Sequence, residues 1–194
     1  MPQKFKGKYR IQSARAQWWD YAKNGSYFVT LCTQNRKHFF GTISNGKMEL
    51  NKIGEIVDRE WKRTFSIRPD MNLWMDEFVV MPNHFHAIIG IGVNKYNMET
   101  NVVEAQCIAP LQHLQPPPKN KFGPQSKNLA SIICGFKSAV TTHARKTIPH
   151  FAWQPRFHDH IIRDKKSLEN IRQYIFYNPA KWHRDRNNDN GLWI

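Results

Sequence analysis

Cysteine is scarce in this chain. There are three among 194 residues, Cys32, Cys107 and Cys134, widely spaced and with no CxxC pair. An odd, scattered set points to neither a disulfide framework nor a cysteine zinc site. Acidic residues are also few: Asp and Glu number 15 against 29 Lys and Arg, a formal net charge of +14. The excess is spread along the chain, so the folded body carries a positive field. Such a field favours polyanions, with nucleic acid the first candidate partner. No stretch reaches the ~18 apolar residues that a membrane helix needs. The basic opening "MPQKFKGKYR" has no apolar segment behind it. No signal peptide and no membrane partner are therefore expected, and a cytoplasmic location is.

What is present is a regular alternation of apolar patterns. Residues 1–25 read as a basic N-terminal arm. "SYFVTLCTQ" (26–34) is β-branched and aromatic and reads as a strand. "NRKHFFGTISNGKM" (35–48) reads as a loop. In residues 50–65, Ile53, Ile56, Val57, Trp61 and Phe65 recur at helical spacing. "NLWMDEFVVM" (72–81) and "HFHAIIGI" (84–91) read as a hairpin closed by the turn "PN". Residues 92–127, with "PPP" at 116–118, break the pattern and read as a loop insertion. A helix follows over 128–146, with Leu129, Ile132, Ile133, Phe136 and Val140 inward. "WQPRFHDHIIR" (153–163) contains a fourth strand. The segment 166–182 reads as a helix capped by Ser167 and stopped by Pro179. Residues 183–194 form a polar tail that reaches DNA or folds back over the site. The order β-α-β-β-α-β-α predicts an α+β fold: a ferredoxin-like four-stranded antiparallel sheet, two helices on one face, and an added C-terminal helix.

The stretch "FVVMPNHFHAIIGI" (78–91) carries two histidines in a run that is otherwise almost entirely apolar. Strand side chains alternate faces, so His84 and His86 point one way and Phe85 points the other. Two imidazoles about 7 Å apart along one strand face can converge on a metal ion. The alternative is a pair of half-exposed sheet histidines without a ligand. A second pair, His158 and His160 in "FHDHII", brackets Asp159, which could not bury opposite them without a partner. His84 and His86 are therefore preferred as ligands, with His158, Asp159 and His160 left to DNA contact or a supporting shell.

The last predicted helix offers further chemistry. Tyr174 and Asn178 are four apart and share nearly one face. A phenol there could act as a nucleophile, and an amide oxygen could hold a hard cation. Core packing by Tyr174 and helix termination by Asn178 before Pro179 are the ordinary alternatives. Arg36, Lys37, Lys137, Arg145, Lys146 and Arg163 are candidates for DNA contact, as are Lys4, Lys6, Lys8, Arg10 and Arg15 in the arm. Trp18, Trp19, Phe39, Phe40 and Trp153 are candidates for stacking on unpaired bases, with core packing the equal alternative for each.

"MPNHFHAII", followed far downstream by "WQPRFHDHIIRDKKSLENIRQYIFYNPAKW", resembles the REP-associated tyrosine transposases. These are single-domain relatives of the small insertion-sequence transposases of the His-hydrophobe-His class. The resemblance runs from Ser26 to Trp182. It implies a metal-dependent endonuclease and strand transferase acting on single-stranded DNA near palindromic hairpin elements. It further implies Mg2+ or Mn2+ on His84 and His86, Asn178 as third ligand, and Tyr174 as the nucleophile that forms a 5′-phosphotyrosine link. A monomer or a homodimer, associated with the nucleoid, fits it. Imidazole is a poor ligand for magnesium, so manganese is expected to serve at least as well. A rival reading is a non-catalytic nucleic-acid-binding module on the same sheet. Another is a metal-dependent hydrolase using activated water, for which Tyr174 would be dispensable.

Overall fold

Strand β1 (Gly25–Cys32) buries Tyr27, Val29 and Leu31 completely on one face and turns Phe28, Thr30 and Cys32 to the other. The computed structural model, which describes residues 19–98, 126–185 and 187–188, shows what lies on each side. β1 pairs antiparallel with β5 (His84–Ile91) on one side and with β6 (His158–Ile162) on the other. β4 (Leu73–Val80) completes a four-stranded antiparallel sheet in the order β4-β5-β1-β6. β5 is central and buried along its whole length. The apolar run around the histidines is therefore what a strand covered on both faces requires.

Helices α1 (Lys52–Ser66) and α2 (Leu129–Ala144) cover one sheet face. Trp61 of α1 meets Phe85 at 5.0 Å and Phe136 of α2 at 5.2 Å, and Phe85 meets Phe136 at 5.3 Å. This aromatic cluster fixes Phe85, and with it the direction of the neighbouring histidines. Asn51 caps α1 by accepting from the amides of Ile53 and Gly54, and Asn128 forms a capping box with Ser131 at α2. The third helix, α3 (Lys165–Tyr177), packs on the opposite face, beside His86. The α+β class and the β-α-β-β-α-β-α order of core elements are as the patterning predicts.

Three local expectations are corrected. Residues 41–50 are not loop but a hairpin, β2 (Gly41–Ser44) and β3 (Lys47–Leu50). Its turn residues Asn45 and Gly46 both have positive φ, 50° and 71°, as a type I′ turn requires, and the Asn-Gly pair is its sequence signal. α3 starts earlier than predicted: Asp164, not Ser167, is the cap, and its carboxylate accepts the Ser167 amide at 2.8 Å. Its α-helical part ends at Tyr177, and residues 179–184 form a 3-10 turn that redirects the chain after Pro179. The fourth strand lies within 153–163 as expected, at His158–Ile162, and begins only after Pro155, which has no amide to donate, and Arg156, which adopts φ 70°.

The flanks of the predicted insertion are held together. The Asp70 carboxylate accepts from the Tyr96 hydroxyl at 2.7 Å and from the Lys127 ammonium. These hydrogen bonds, Lys127 foremost, hold the Asp70 carboxyl down to about 2. Residues 99–125 of the insertion and the arm through residue 18 lie outside the described residues. No helix among the described residues is long and apolar enough to cross a membrane.

Candidate active site

Each histidine of β5 is anchored through Nδ1. His86 sits opposite Thr30 in the β1–β5 ladder, and its Nδ1 lies 2.8 Å from Thr30 Oγ1. His84 Nδ1 lies 2.9 Å from Asn83 Oδ1. The Asn83 amide nitrogen donates to the carbonyls of Arg36 and Asn187, so its oxygen is the end turned to His84. An amide oxygen only accepts, so His84 Nδ1 carries a proton, which in the neutral ring leaves the lone pair on Nε2. Histidine ligands are commonly oriented in this way, by a hydrogen bond from the ring nitrogen that does not bind. The two rings are 4.5 Å apart, and both are buried.

The chain beyond α3 brings a carboxylate to the same place. After the 3-10 turn, Asp185 Oδ2 lies 3.9 Å from His84 Nε2. Asp185 accepts from Asn178 Nδ2 at 3.2 Å and from the Asn187 amide at 2.7 Å, which fixes the carboxylate from both sides. One ligating atom each from His84, His86 and Asp185 falls within 4.8 Å of the others. Asn178 is 3 % exposed, and its Oδ1 has no hydrogen-bond partner among the described residues. A buried amide oxygen without a partner costs free energy, and a cation beside it would remove that cost. Two imidazoles, a carboxylate and an amide oxygen form a donor set that suits Mn2+ well and Mg2+ less well.

Tyr174 is 44 % exposed, and its Oη lies 3.1 Å from His86 Nε2. Half-buried Phe28 stacks on His86 at 5.3 Å and meets Tyr174 edge-on at 6.1 Å, so phenol and imidazole share one aromatic wall. Tyr177 is directed elsewhere: it is 48 % exposed, with the Lys181 ammonium 5.5 Å from its ring centroid.

α3 is held in place by a two-pronged ion pair. The Arg172 guanidinium meets Asp76 through Nε at 2.9 Å and NH2 at 2.7 Å. Asp76 lies in the irregular stretch between Met75 and Phe78, where the β4–β5 register shifts. Arg172 lowers the Asp76 pKa, so the attraction is present above the ordinary carboxylate range and is lost as the pH falls through the lowered value. Only Ile175 of α3 is buried, so this pair carries much of the docking. Arg172→Ala is expected to lower Tm by about 2–4 °C at neutral pH, a difference that shrinks in acid; thermal unfolding followed by circular dichroism at pH 7 and pH 3 measures it.

The structure thus brings together His84, His86, Tyr174 and, through Asp185, Asn178. It also places His158 and His160 on the same sheet face, opposite Thr30 and Phe28 in the β1–β6 ladder, and both are exposed. The Arg36 carbonyl accepts from Asn83 beside the site, and Lys37, next in the chain, is exposed. Arg163 is exposed just past β6. Lys137, Arg145 and Lys146 belong to α2 and its C-terminal end, across the sheet from the histidines, and are not brought to the site. Lys137 caps the carbonyls of Gln154 and Arg156, and burial lowers its pKa; Arg145 donates to the Phe151 carbonyl. For Phe39, Phe40 and Trp153 the structure decides between stacking and core packing: all three are packed in the core, at 8, 0 and 9 % exposure. Trp19 is half-buried and donates to the Tyr27 hydroxyl. Trp18 and the arm lysines and arginines lie outside the described residues.

Sequence reasoning missed Asp185, Asn83 and Thr30. Asn83 stands next to His84 but reads as a turn residue. Thr30 is matched to His86 only by strand pairing, and Asp185 reaches the site only because the chain reverses after Pro179.

Fold and site define a small α+β protein with a buried His-His-Asp cluster facing a helix-borne tyrosine. No family model matches the chain. A Haemophilus influenzae protein of uncharacterized function is 37% identical over 183 residues, 93% of this chain and 94% of that one. A second H. influenzae protein, named as a REP-associated tyrosine transposase, is 25% identical over 162 residues, 84% of this chain and 74% of that one. A solved REP-associated tyrosine transposase bound to a REP hairpin shares the fold, with a TM-score of 0.54 at 20% identity over 89% of this chain and 74% of that one. The chain belongs to one family with the first Haemophilus protein, and its resemblance to the REP-associated tyrosine transposases holds in both sequence and fold.

Proposed function

We propose that this protein cuts and rejoins single-stranded DNA beside hairpin elements, with Tyr174 as the nucleophile and Mg2+ or Mn2+ as cofactor. The observation that supports this most directly is the 3.1 Å contact between Tyr174 Oη and His86 Nε2, at the edge of the His84–His86–Asp185 cluster. The cation would be held by the two Nε2 atoms and Asp185, with Asn178 Oδ1 a further candidate donor. When bound, it supplies Lewis-acid polarisation of the scissile phosphate and offsets developing charge.

This chain's residues do the rest. Thr30 and Asn83 hold the imidazoles with Nε2 turned inward. Tyr174 Oη lies 3.1 Å from His86 Nε2, the atom through which His86 would hold a cation, so the phenol sits next to the place where the scissile phosphate would be polarised. In the chemical step the bond from Tyr174 Oη to phosphorus forms and the bond from phosphorus to the 3′ oxygen breaks. The phenol loses its proton, and the leaving oxygen gains one to become a 3′-OH. The phosphotyrosine ester keeps the bond energy, so rejoining needs no ATP. The +14 charge supplies sequence-independent attraction to the strand.

The test uses labelled hairpins with single-stranded flanks, and duplexes of equal length, at matched salt. The expected result is a protein–DNA adduct that survives a denaturing gel, forms only with Mn2+ or Mg2+, and is absent with duplex. Binding is expected to weaken about tenfold or more between 50 and 200 mM salt. Cleavage without an adduct would mean that water, not tyrosine, is the nucleophile. A preference for duplex would count against the single-strand reading.

A further inference from the structure

A groove of about 480 Å³ opens between β6 and the start of α3, on the same sheet face as the histidine pair. We infer that it seats one unpaired nucleotide of the strand being cut, next to the attacked phosphate; this rests on the reading of the site given above.

Four observations converge on it. First, the groove shares a wall with the active site. Phe28 lines it and also touches His86 and Tyr174. A half-buried aromatic on that face offers a stacking surface, which every base can use. Second, Lys166, Asn170, Tyr174 and Asn178 follow one another at intervals of four, so they run as neighbours along α3 and into its cap. Asn170 is one turn, about 6 Å, from the nucleophile. The helix thus presents an ammonium, an amide, the phenol and the buried amide in order along the path a strand would follow. Third, His158 and His160 stand on the other wall, set by the pairings of Thr30 with His158 and Phe28 with His160. Fourth, the side chains of His158, His160, Lys166 and Asn170 are exposed and make no hydrogen bond or ion pair among the described residues. Their donors are available to a ligand. The carboxylate that lines the groove, Asp164, is engaged as the cap of α3.

The chemistry selects a nucleotide rather than a bare anion. The stacking surface takes a base, the Asn170 amide can donate and accept along a base edge, and Lys166 with the imidazoles suits a flanking phosphate. Single-stranded DNA is favoured, because a paired base must first break its pair and leave its stack before it enters the groove.

The experiment separates this from the cleavage reading by measuring binding in a protein that cannot form the tyrosine link. In a Tyr174→Phe background, fluorescence anisotropy is measured with single-stranded oligonucleotides carrying an abasic residue at successive positions. One position is expected to weaken binding about tenfold when abasic. Adding His160→Ala and Asn170→Ala should cost a similar factor with intact DNA and remove the sensitivity at that position alone. An iodouracil at that position should photocrosslink to Phe28 or to the peptide spanning residues 158–171. Both substituted side chains are exposed, so circular dichroism should show an unchanged fold. Unchanged affinity and an unchanged abasic pattern in the substituted protein overturn the groove assignment, as do crosslinks that all map elsewhere. If the groove behaves as expected but the native protein never forms an adduct, the groove stands and the cleavage reading falls.

Discussion

Tyr174→Phe is expected to abolish the covalent protein–DNA adduct, by at least about a thousandfold, while leaving DNA affinity within a few-fold. The substitution removes one oxygen and keeps the ring. Phe28 keeps its edge-on neighbour, and the hydrogen bond to His86 is lost. The residue is 44 % exposed, so little burial energy is at stake and the fold should persist. Tyr177→Phe should keep the adduct, since Tyr177 lies near Lys181, away from the histidines. Mass spectrometry of the adduct peptide places the linked nucleotide directly. A link on Tyr177, or on no tyrosine, would overturn the assignment.

The second large effect concerns the third ligand. His84→Ala and His86→Ala are each expected to remove cation-dependent cleavage at any practical Mn2+ concentration, with DNA binding retained within a few-fold. Asp185→Asn keeps size and hydrogen-bonding reach but removes the charge. It should weaken Mn2+ binding by about 10- to 100-fold, and high Mn2+ should restore cleavage in part. Calorimetric titration of the native and substituted proteins with Mn2+ reads the site without reference to catalysis. If Asp185→Asn binds Mn2+ like the native protein while Asn178→Ala does not, the amide is the third ligand, as the sequence reading has it, and Asp185 only orients it. His158→Ala should be milder than either β5 substitution. Loss equal to that of His84→Ala would mean that the cation site extends across the sheet to β6.

The division between sequence and structure follows the range of the interactions. The elements were readable because periodicity is local: α1 and α2 show their inward faces at helical spacing, and β5 shows a strand buried on both sides. The β2–β3 hairpin is also local in origin, set by the Asn45-Gly46 turn. The buried placement of Phe39, Phe40 and Trp153 was not readable. A basic loop with aromatics looks the same whether its rings face DNA or meet Phe151, and only the packed core distinguishes them.

By itself the sequence determined that His84 and His86 share a face, since a strand's period of two admits no other result once Phe85 is drawn into the core. It likewise determined that Tyr174 and Asn178 lie one helical turn apart. Only the tertiary structure decided what those pairs meet. Thr30 reaches His86 across 56 residues of chain because β1 and β5 pair in that register. Arg172 docks α3 on Asp76 across 96 residues, which brings the phenol to His86. Asp185 enters because the chain turns back after Pro179 and is held there by Asn178. Spacing along a chain fixes which side chains share a face, whereas the convergence of two faces is set by strand register and by packing between elements far apart in sequence.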